Sequence, residues 1–264
     1  MTVYFLPSGP LATGRTYTIN VNSPSPGLTD VLGNLVHWCC GLTFSFTTGV
    51  AASTIGPQVT AVSPANGLTE VPLDAEVMIQ FNEPVDVQTL GHVTLSASSG
   101  PVPVLASLSN GNQILNLMTL VTLRPNTAYT VNISGVTDLS GVSAMMPVTT
   151  TFNTGSTVDF SVPQVTGALP ANGATGVATT TTIQIQFNKT MNPLTISNST
   201  FNVASNGKPL AGSILVAPDA RSATFTPAVS LTLGTTYVVT VNSGITDLGG
   251  LPVTSFQSTF TTSN

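Results

Sequence analysis

The sequence predicts an all-β protein built from sandwiches of two sheets arranged in tandem. Three observations predict it: the composition, an internal repeat of about 107 residues, and an alternation of apolar and polar residues within each copy. Thr supplies 43 of the 264 residues and Ser 26. Because the branched side chain of Thr fits a pleated strand, and because 23 Gly and 19 Pro interrupt helices, this composition favours strands and turns.

The internal repeat divides the chain into three parts. Residues 57–67 recur at 163–173, where Pro-Gln-Val-Thr and Pro-Ala-Asn-Gly appear in both copies. A later block, consisting of Gly, an aliphatic residue, Thr, Asp, two further residues and Gly, occurs at 27–33, 135–141 and 244–250. We therefore predict complete repeats at 54–157 and 158–264, and only the C-terminal half of a repeat in residues 1–53.

Each complete repeat is predicted to contain about seven short strands. In residues 77–81 and 183–187, apolar side chains occupy every second position, which is typical of a strand with one buried and one solvated face. The other segments with this period are 17–21, 43–48, 129–133, 150–154, 237–241 and 258–262. Turn sequences such as Asn-Gly separate the strands, and about seven strands in about 105 residues favour a two-sheet antiparallel sandwich.

A Tyr stands at the head of the penultimate strand of each copy, at Tyr17, Tyr129 and Tyr237. Each follows a Leu by six residues. In sandwiches of this kind, such a Tyr donates or accepts a hydrogen bond with the backbone a few residues upstream. We therefore predict a structural role for these three residues.

Five spaced motifs resemble the bacterial Ig-like modules of the type described in S-layer proteins. They include Pro-Ala-Asn-Gly-Ala-Thr-Gly-Val at 170–177, Leu-Gly-Thr-Thr-Tyr at 233–237 and Thr-Asp-Leu-Gly-Gly at 246–250; the others lie at 185–193 and 260–262. The resemblance covers nearly the whole chain. It implies tandem Ig-like β-sandwiches used in extracellular or cell-surface proteins, and it implies no catalytic residues.

The opening half-repeat departs from this pattern. Residues 1–49 are predicted to supply only the last three strands, so an apolar face and sheet edges are left uncovered. One interpretation is that the sequence is a fragment and Met1 is not a native start. The other is strand complementation, in which a neighbouring copy completes the half-repeat and builds a polymer.

Three Asp residues recur in register, at Asp30, Asp138 and Asp247. A calcium site needs about six oxygen ligands, and each of these loops offers a single carboxylate. Asp can instead accept hydrogen bonds from backbone amides two residues further on and so hold a turn. We therefore predict that these residues cap loops.

Half of the ten carboxylates lie within residues 70–86. They are Glu70, Asp74, Glu76, Glu83 and Asp86. The second repeat carries no acid at the matching positions, so the fold does not require them. The alternation predicts a solvated face, with Asp74 and Glu76 on the outward side of their strand; the alternative is a weak cation site between repeats, with Glu70, Asp74 and Glu76 as candidate ligands.

The least repetitive stretch is His37-Trp38-Cys39-Cys40. Three potential ligands in one tetrapeptide cannot all face one metal ion, and the chain has no further Cys to complete a tetrahedral site. We predict a surface or contact loop at Trp38, Cys39 and Cys40, with an intermolecular disulfide as the alternative.

Composition and missing motifs exclude several functions. Five scattered Lys and Arg cannot form a surface that follows a phosphate backbone, so we expect no nucleic-acid partner. The mean hydropathy is +0.36, but the most apolar run, 114–123, is about half the length needed to span a bilayer, so we expect no membrane insertion. With two His and no hydrolase, zinc-protease or phosphate-loop motif, we predict no enzyme activity and no cofactor.

The sequence therefore favours a non-catalytic structural module of an extracellular or cell-surface protein. Tandem sandwiches are expected to act as a spacer, a stalk or a fibre or S-layer segment whose partners are neighbouring modules or copies of the same chain. The alternative is an adhesin-type module that binds a carbohydrate or a protein. Sugar sites generally need exposed aromatic rings, and only Tyr4, Trp38 and Phe160 are candidates.

Overall fold

The computed structural model describes residues 7, 9, 11–21, 42–49, 55–141 and 145–264. The chain divides into two compact units, Met1–Thr54 and Ile55–Asn264. The first unit contains the half-repeat, and the second contains both complete repeats. Across these described ranges, no helix is long and apolar enough to cross a membrane.

The first unit contains an antiparallel strand pair, β1 (Thr16–Val21) and β2 (Leu42–Thr47). Tyr17 lies opposite Phe46 and Ile19 opposite Phe44, so these four apolar side chains share one face of the pair. The third strand that the sequence predicts here, near residues 3–5, lies outside the described residues.

The first complete repeat is a sandwich of two sheets with nine strands. One sheet has the order β3 (Val59–Ser63), β5 (Val77–Phe81), β9 (Ile114–Thr119), β8 (Val104–Ser109). The other has the order β4 (Leu68–Val71), β11 (Val148–Thr154), β10 (Ala128–Ile133), β6 (Thr94–Ala97), β7 (Gly100–Val102). A 3₁₀ helix spans Val87–His92.

The second complete repeat has the same architecture. Its four-stranded sheet has the order β12 (Val165–Leu169), β14 (Ile183–Phe187), β18 (Ser222–Pro227), β17 (Gly212–Val216). Its five-stranded sheet has the order β13 (Ala174–Val177), β20 (Phe256–Thr262), β19 (Thr236–Val241), β15 (Phe201–Ser205), β16 (Lys208–Pro209). A 3₁₀ helix spans Pro193–Thr195.

The period-two pattern of the sequence corresponds to burial in the structure. In β5 the side chains of Val77, Ile79 and Phe81 are buried while the two between them are half-buried. In β14 the alternate residues are likewise buried, and the two between them are half-buried or exposed. Each repeat therefore encloses its own apolar core between its two sheets. The predicted all-β sandwich class is confirmed.

Two details differ from the prediction. Each sandwich has nine strands rather than about seven, because short edge strands such as β7 and β16 carry no alternation long enough to be recognised. Not all pairs are antiparallel: β4 pairs in parallel with β11, and β13 with β20. In both cases the first strand crosses to the second sheet after a Pro-Ala-Asn-Gly turn and runs beside the last strand.

Candidate functional site

In each copy, one Tyr and one Thr hydroxyl bind the same backbone residue. In the first complete repeat, the Tyr129 hydroxyl accepts a hydrogen bond from Arg124 N at 2.7 Å, and Thr154 Oγ1 donates to the Arg124 carbonyl at 2.6 Å. Thr154 Oγ1 also accepts from Thr127 N at 3.0 Å. The matching sets are Tyr237, Thr262 and Thr232, and Tyr17, Thr48 and Ala12. The N–H and the carbonyl of the backbone residue that precedes the penultimate strand are therefore both hydrogen-bonded, the first to the Tyr hydroxyl and the second to the Thr hydroxyl.

The Tyr ring of each copy stacks on the Phe two residues before that Thr. The ring centroids of Tyr129 and Phe152 are 5.5 Å apart, and those of Tyr237 and Phe260 are 5.4 Å apart. Both Phe side chains are only 1% exposed. In the first unit the corresponding Phe46 stacks on Tyr17 at 5.8 Å but is 43% exposed, and Phe44 beside it is 55% exposed.

Asp138 and Asp247 hold the loops that follow the penultimate strands. Asp138 Oδ1 accepts hydrogen bonds from the backbone N–H of Ser140 and Gly141 at 3.0 and 3.1 Å. Asp247 Oδ1 accepts from Gly249 N at 3.0 Å and Leu251 N at 2.8 Å. The structure therefore places both carboxylates in loop-holding positions, whereas Asp30 lies outside the described residues.

The Asp247 loop reaches from the second repeat into the first. Leu248 is 5% exposed and belongs to the apolar core of the first repeat, although its neighbours in sequence belong to the second. Its carbonyl accepts a hydrogen bond from Glu76 N at 2.9 Å. We call this contact region the internal junction; its residues are Asp74, Glu76, Asp159, Lys189, Asp247 and Leu248.

A buried lysine joins the parts of the internal junction. Lys189 Nζ lies 2.6 Å from Asp247 Oδ2 in the loop and 2.7 Å from Asp159 Oδ2 in the linker between the repeats. It also donates to the Ser161 carbonyl at 2.9 Å. The exposed fractions of the side chains are 11% for Lys189, 3% for Asp247 and 35% for Asp159. The ion pair with Asp247 is therefore nearly desolvated, and that with Asp159 is partly screened.

The pKa values follow from this packing. Burial alone would lower the pKa of Lys189, but the hydrogen bonds and charges of Asp159 and Asp247 outweigh it and raise that pKa above its ordinary value. Burial would likewise raise the pKa of Asp159, yet the hydrogen bonds from Lys189 and Ser161 and the lysine's charge lower it. Glu76 has no such partner among the residues that the structure describes, and burial and the nearby charge of Asp247 raise its pKa.

The prediction of a solvated acidic face is wrong for Asp74 and Glu76. Both are half-buried, and they lie in the turn before β5 rather than on the outward side of a strand. A Cβ placed on Gly249 would lie 2.9 Å from Asp74 Oδ2, and one on Gly250 would lie 3.3 Å from Glu76 Oε1. The two carboxylates are therefore packed against the loop of the neighbouring repeat, which alternation within one sandwich cannot reveal.

A cleft of about 300 Å³ opens at one side of the internal junction. Glu70, Lys189 and Arg221 are among its lining residues. Glu70 has a positive φ of 57° where the second repeat has Gly176 at 65°. Among the residues that the structure describes, no group of three His, Cys, Asp or Glu could hold a metal ion, so Glu70, Asp74 and Glu76 are not brought together as a ligand set.

Several candidates cannot be located. Trp38, Cys39 and Cys40 lie outside the described residues, as does Tyr4. The aromatic candidate that is described, Phe160, stands in the linker between the two complete repeats and is 82% exposed.

Sequence reasoning missed the residues that join the two repeats. In the sequence, Lys189 is only the residue that replaces Glu83 in the second repeat, and Leu248 is only the residue after a recurrent Asp. Neither pattern indicates a contact between the repeats. A usable signal was present: Gly249 and Gly250 are adjacent where the first repeat has Ser140 and Gly141, and a Gly pair permits close approach of another chain segment. The recurrent Thr at 48, 154 and 262 was likewise visible as the end of each Phe-centred strand.

The family model for the bacterial Ig-like domain matches residues 53–154 and again residues 159–262. The chain therefore belongs to the bacterial Ig-like domain family, and it carries two such domains in tandem. No curated protein matches the sequence.

Several solved structures are similar to parts of this chain at low identity. The copper resistance protein PcoC from Escherichia coli is 18% identical, with 37% of this chain and 97% of that chain covered and a TM-score of 0.32. The N-terminal part of the bacterial S-layer protein SbsC is 14% identical, with 80% and 45% covered and a TM-score of 0.33. L,D-transpeptidase 1 from Mycobacterium tuberculosis is 16% identical, with 60% and 58% covered and a TM-score of 0.27. At these values the likenesses carry no functional assignment.

Proposed function

We propose that this chain is a non-catalytic structural segment of an extracellular or cell-surface protein, in which the tandem Ig-like domains act as a spacer, a stalk or a fibre or S-layer segment. The observation that carries the proposal is the internal junction. A spacer must keep its modules in a fixed relation, and here one repeat inserts an apolar side chain into the core of the other.

The internal junction restrains the two repeats at more than one point. The linker provides one connection, with Leu73 N donating to the Thr157 carbonyl at 3.1 Å. The loop provides a second through Leu248, whose burial contributes about 2 kcal/mol. Lys189 connects the linker to the loop, because it forms ion pairs with Asp159 of the linker and Asp247 of the loop. Relative motion of the repeats would break these contacts together, so we expect a stiff pair rather than two beads on a flexible string.

The surface suits a protein that packs against neighbouring modules. Only 15 residues are formally charged, and the net charge of −5 is small for 264 residues. Long-range repulsion between copies is therefore weak, which permits close lateral or end-to-end packing.

Small-angle X-ray scattering tests the stiffness. We call the chain without substitutions the parent. We expect it to scatter as a particle whose two complete repeats keep one relative orientation. Leu248→Ser should increase the maximum dimension and the flexibility, while Leu233→Ser, a change at a leucine that is 61% exposed, should leave both unchanged. A parent that already scatters as a flexible ensemble, indistinguishable from Leu248→Ser, contradicts the spacer proposal.

We also propose that strands from another Ig-like module complete the half-repeat. The support is the contrast between Phe46, which is 43% exposed, and the equivalent Phe152 and Phe260, each 1% exposed beneath a second sheet. A donated sheet of the type formed by β3, β5, β9 and β8 would cover this apolar face. Hydrogen exchange at residues 16–21 and 42–47, followed against protein concentration, tests it. A monomer whose amides exchange freely there at every concentration refutes it.

One observation favours the adhesin alternative. Phe160 is 82% exposed, and an exposed ring is a common platform for a sugar. A glycan array with the parent, Trp38→Ala and Phe160→Ala chains distinguishes the two functions. Reproducible binding that either substitution abolishes supports an adhesin, and no binding with a stiff particle in solution supports the spacer.

A further inference from the structure

We propose that copies of this chain associate head to tail through the same pair of surfaces that forms the internal junction. This inference rests on the proposed structural function and names its partner, a second copy. The head is the loop of the first complete repeat that carries Leu139. The tail is the segment 174–182 of the second complete repeat, which corresponds to residues 68–76 of the first.

The head already has the conformation that the internal junction uses. Asp138 makes an isolated bridge with Val85, and the matching Asp247 makes one with Met191. Gly141 has a φ of 70°, close to the 82° of Gly250.

The leucines of these two matching loops differ in burial. Leu248 is 5% exposed in the core of the first repeat, whereas Leu139 is 65% exposed. The first repeat therefore presents an exposed apolar side chain at the loop position that the second repeat uses to dock.

The tail is open where its counterpart is closed. In the first repeat, Leu73 and Ala75 are buried at the internal junction. The matching Thr179 and Thr181 are half-buried, and the next residue, Thr182, is exposed. Since Glu76 N donates to the Leu248 carbonyl, Thr182 supplies the matching N–H for the carbonyl of Leu139.

The side-chain sizes of head and tail are matched in pairs. At the internal junction, Gly249 packs against Asp74, and a Cβ at Gly249 would approach Asp74 Oδ2 to 2.9 Å. In the proposed contact the corresponding pair is Ser140 and Thr180. Thr is shorter than Asp, so the space that Asp74 fills against Gly249 becomes available for the extra atoms of Ser140.

The charges determine which head fits which tail. Lys189 and Glu70 both line the cleft at the internal junction, so a positive charge lies beside the acidic tail that contains Glu70, Asp74 and Glu76. The first repeat has Glu83 at the position that Lys189 occupies in the second, so an acidic tail would repel this end of the first repeat. The tail of the second repeat has Thr180 and Thr182 instead, and both are neutral. The acidic head therefore tolerates the tail of the second repeat and disfavours that of the first.

A contact of this kind joins two different surfaces, so it leaves one head and one tail free after each addition. Heterologous contacts that do not close into a ring generate open chains. Because the proposed contact repeats the relation between the two complete repeats, each copy would continue the row of sandwiches.

Sedimentation at a series of protein concentrations tests the proposal. We expect the weight-average mass of the parent to rise above 27.0 kDa with concentration. Leu139→Ser should weaken the association by about 30-fold, which corresponds to the loss of about 2 kcal/mol from one buried leucine. Leu233→Ser, at another leucine that is 61% exposed, is the matched control and should associate as the parent does.

Charge exchange provides the sharper test. The double variant Thr180→Asp with Thr182→Glu gives the tail the acids of the first repeat, and it should lose the association that Leu139→Ser weakens. Adding Glu83→Lys should restore association, because the head then carries the cation that Lys189 supplies at the internal junction. Far-ultraviolet circular dichroism confirms that each variant is folded.

Two outcomes overturn the inference: a parent that stays monomeric at all concentrations, and an association that Leu139→Ser leaves unchanged. If Leu139→Ser leaves the association unchanged and Phe46→Ser abolishes it, the copies associate through the half-repeat and not through the head-to-tail surface. A stiff monomer in X-ray scattering would retain the spacer function while overturning the head-to-tail contact, so the two failures are distinguishable.

Discussion

Replacing Lys189 by methionine is expected to destabilise the second unit by about 3 kcal/mol. Methionine retains most of the apolar contact of the lysine stem, so the change isolates the charge. Loss of one partner from a buried ion pair costs about 3–5 kcal/mol, because the other charge stays buried without compensation. Asp247 is 3% exposed at its side chain but keeps two backbone N–H donors, and Asp159 is 35% exposed, so the lower end of that range applies.

Thermal and denaturant unfolding measure this effect. For a unit of this size, about 3 kcal/mol corresponds to a fall in Tm of about 6–12 °C. Lys208→Met removes an exposed lysine of β16 and should change Tm by less than about 1 °C. Adding Asp247→Asn to Lys189→Met should recover part of the loss, since the buried charge is then removed. A loss below about 1 kcal/mol in Lys189→Met would refute the reasoning that the ion pair is desolvated.

Three further changes test other parts of the structure. Glu76→Gln should raise Tm at pH 7, because a raised pKa means that the ionised carboxylate is disfavoured in the folded state; the gain should vanish as the pH falls below the ordinary value of 4.5, and a gain independent of pH contradicts the assignment. Tyr237→Phe should cost about 1 kcal/mol through the lost hydrogen bond, and an unchanged Tm would argue against a structural role for the bond between the Tyr237 hydroxyl and Thr232 N. Leu248→Ala should cost about 2–4 kcal/mol, whereas Leu139→Ala at the same loop position should cost less than about 0.5 kcal/mol; equal losses would contradict the different burial of the two leucines.

The interior of each sandwich was predictable from the sequence because burial there depends on a local period. Val77, Ile79 and Phe81 alternate with polar or flexible residues, and all three are buried. The repetition of Tyr and Asp at fixed spacing likewise indicated positions whose role lies within one module. Such signals need only the knowledge that one face of a strand is covered.

The internal junction was not predictable in this way. The alternation predicts that Asp74 and Glu76 face solvent on the outward side of their strand, yet a loop from the next repeat packs against them. Lys189 resembles any single surface lysine in the sequence, and only the structure brings it to Asp159 and Asp247. Contacts between modules have no period, so their residues are recognisable only by comparison of the repeats position by position.

The hydroxyl contacts that hold the three copies have a consequence for how the protein responds to its surroundings. The bonds of Tyr129 and Thr154 to the Arg124 backbone are made by neutral hydroxyl and peptide groups. The internal junction, in contrast, depends on the carboxylates that bind Lys189. Asp159 has a lowered pKa, so its contribution persists to acidic pH and is lost as the pH falls through that value. Strong acid is therefore expected to weaken the internal junction while the two sandwiches that it connects remain folded.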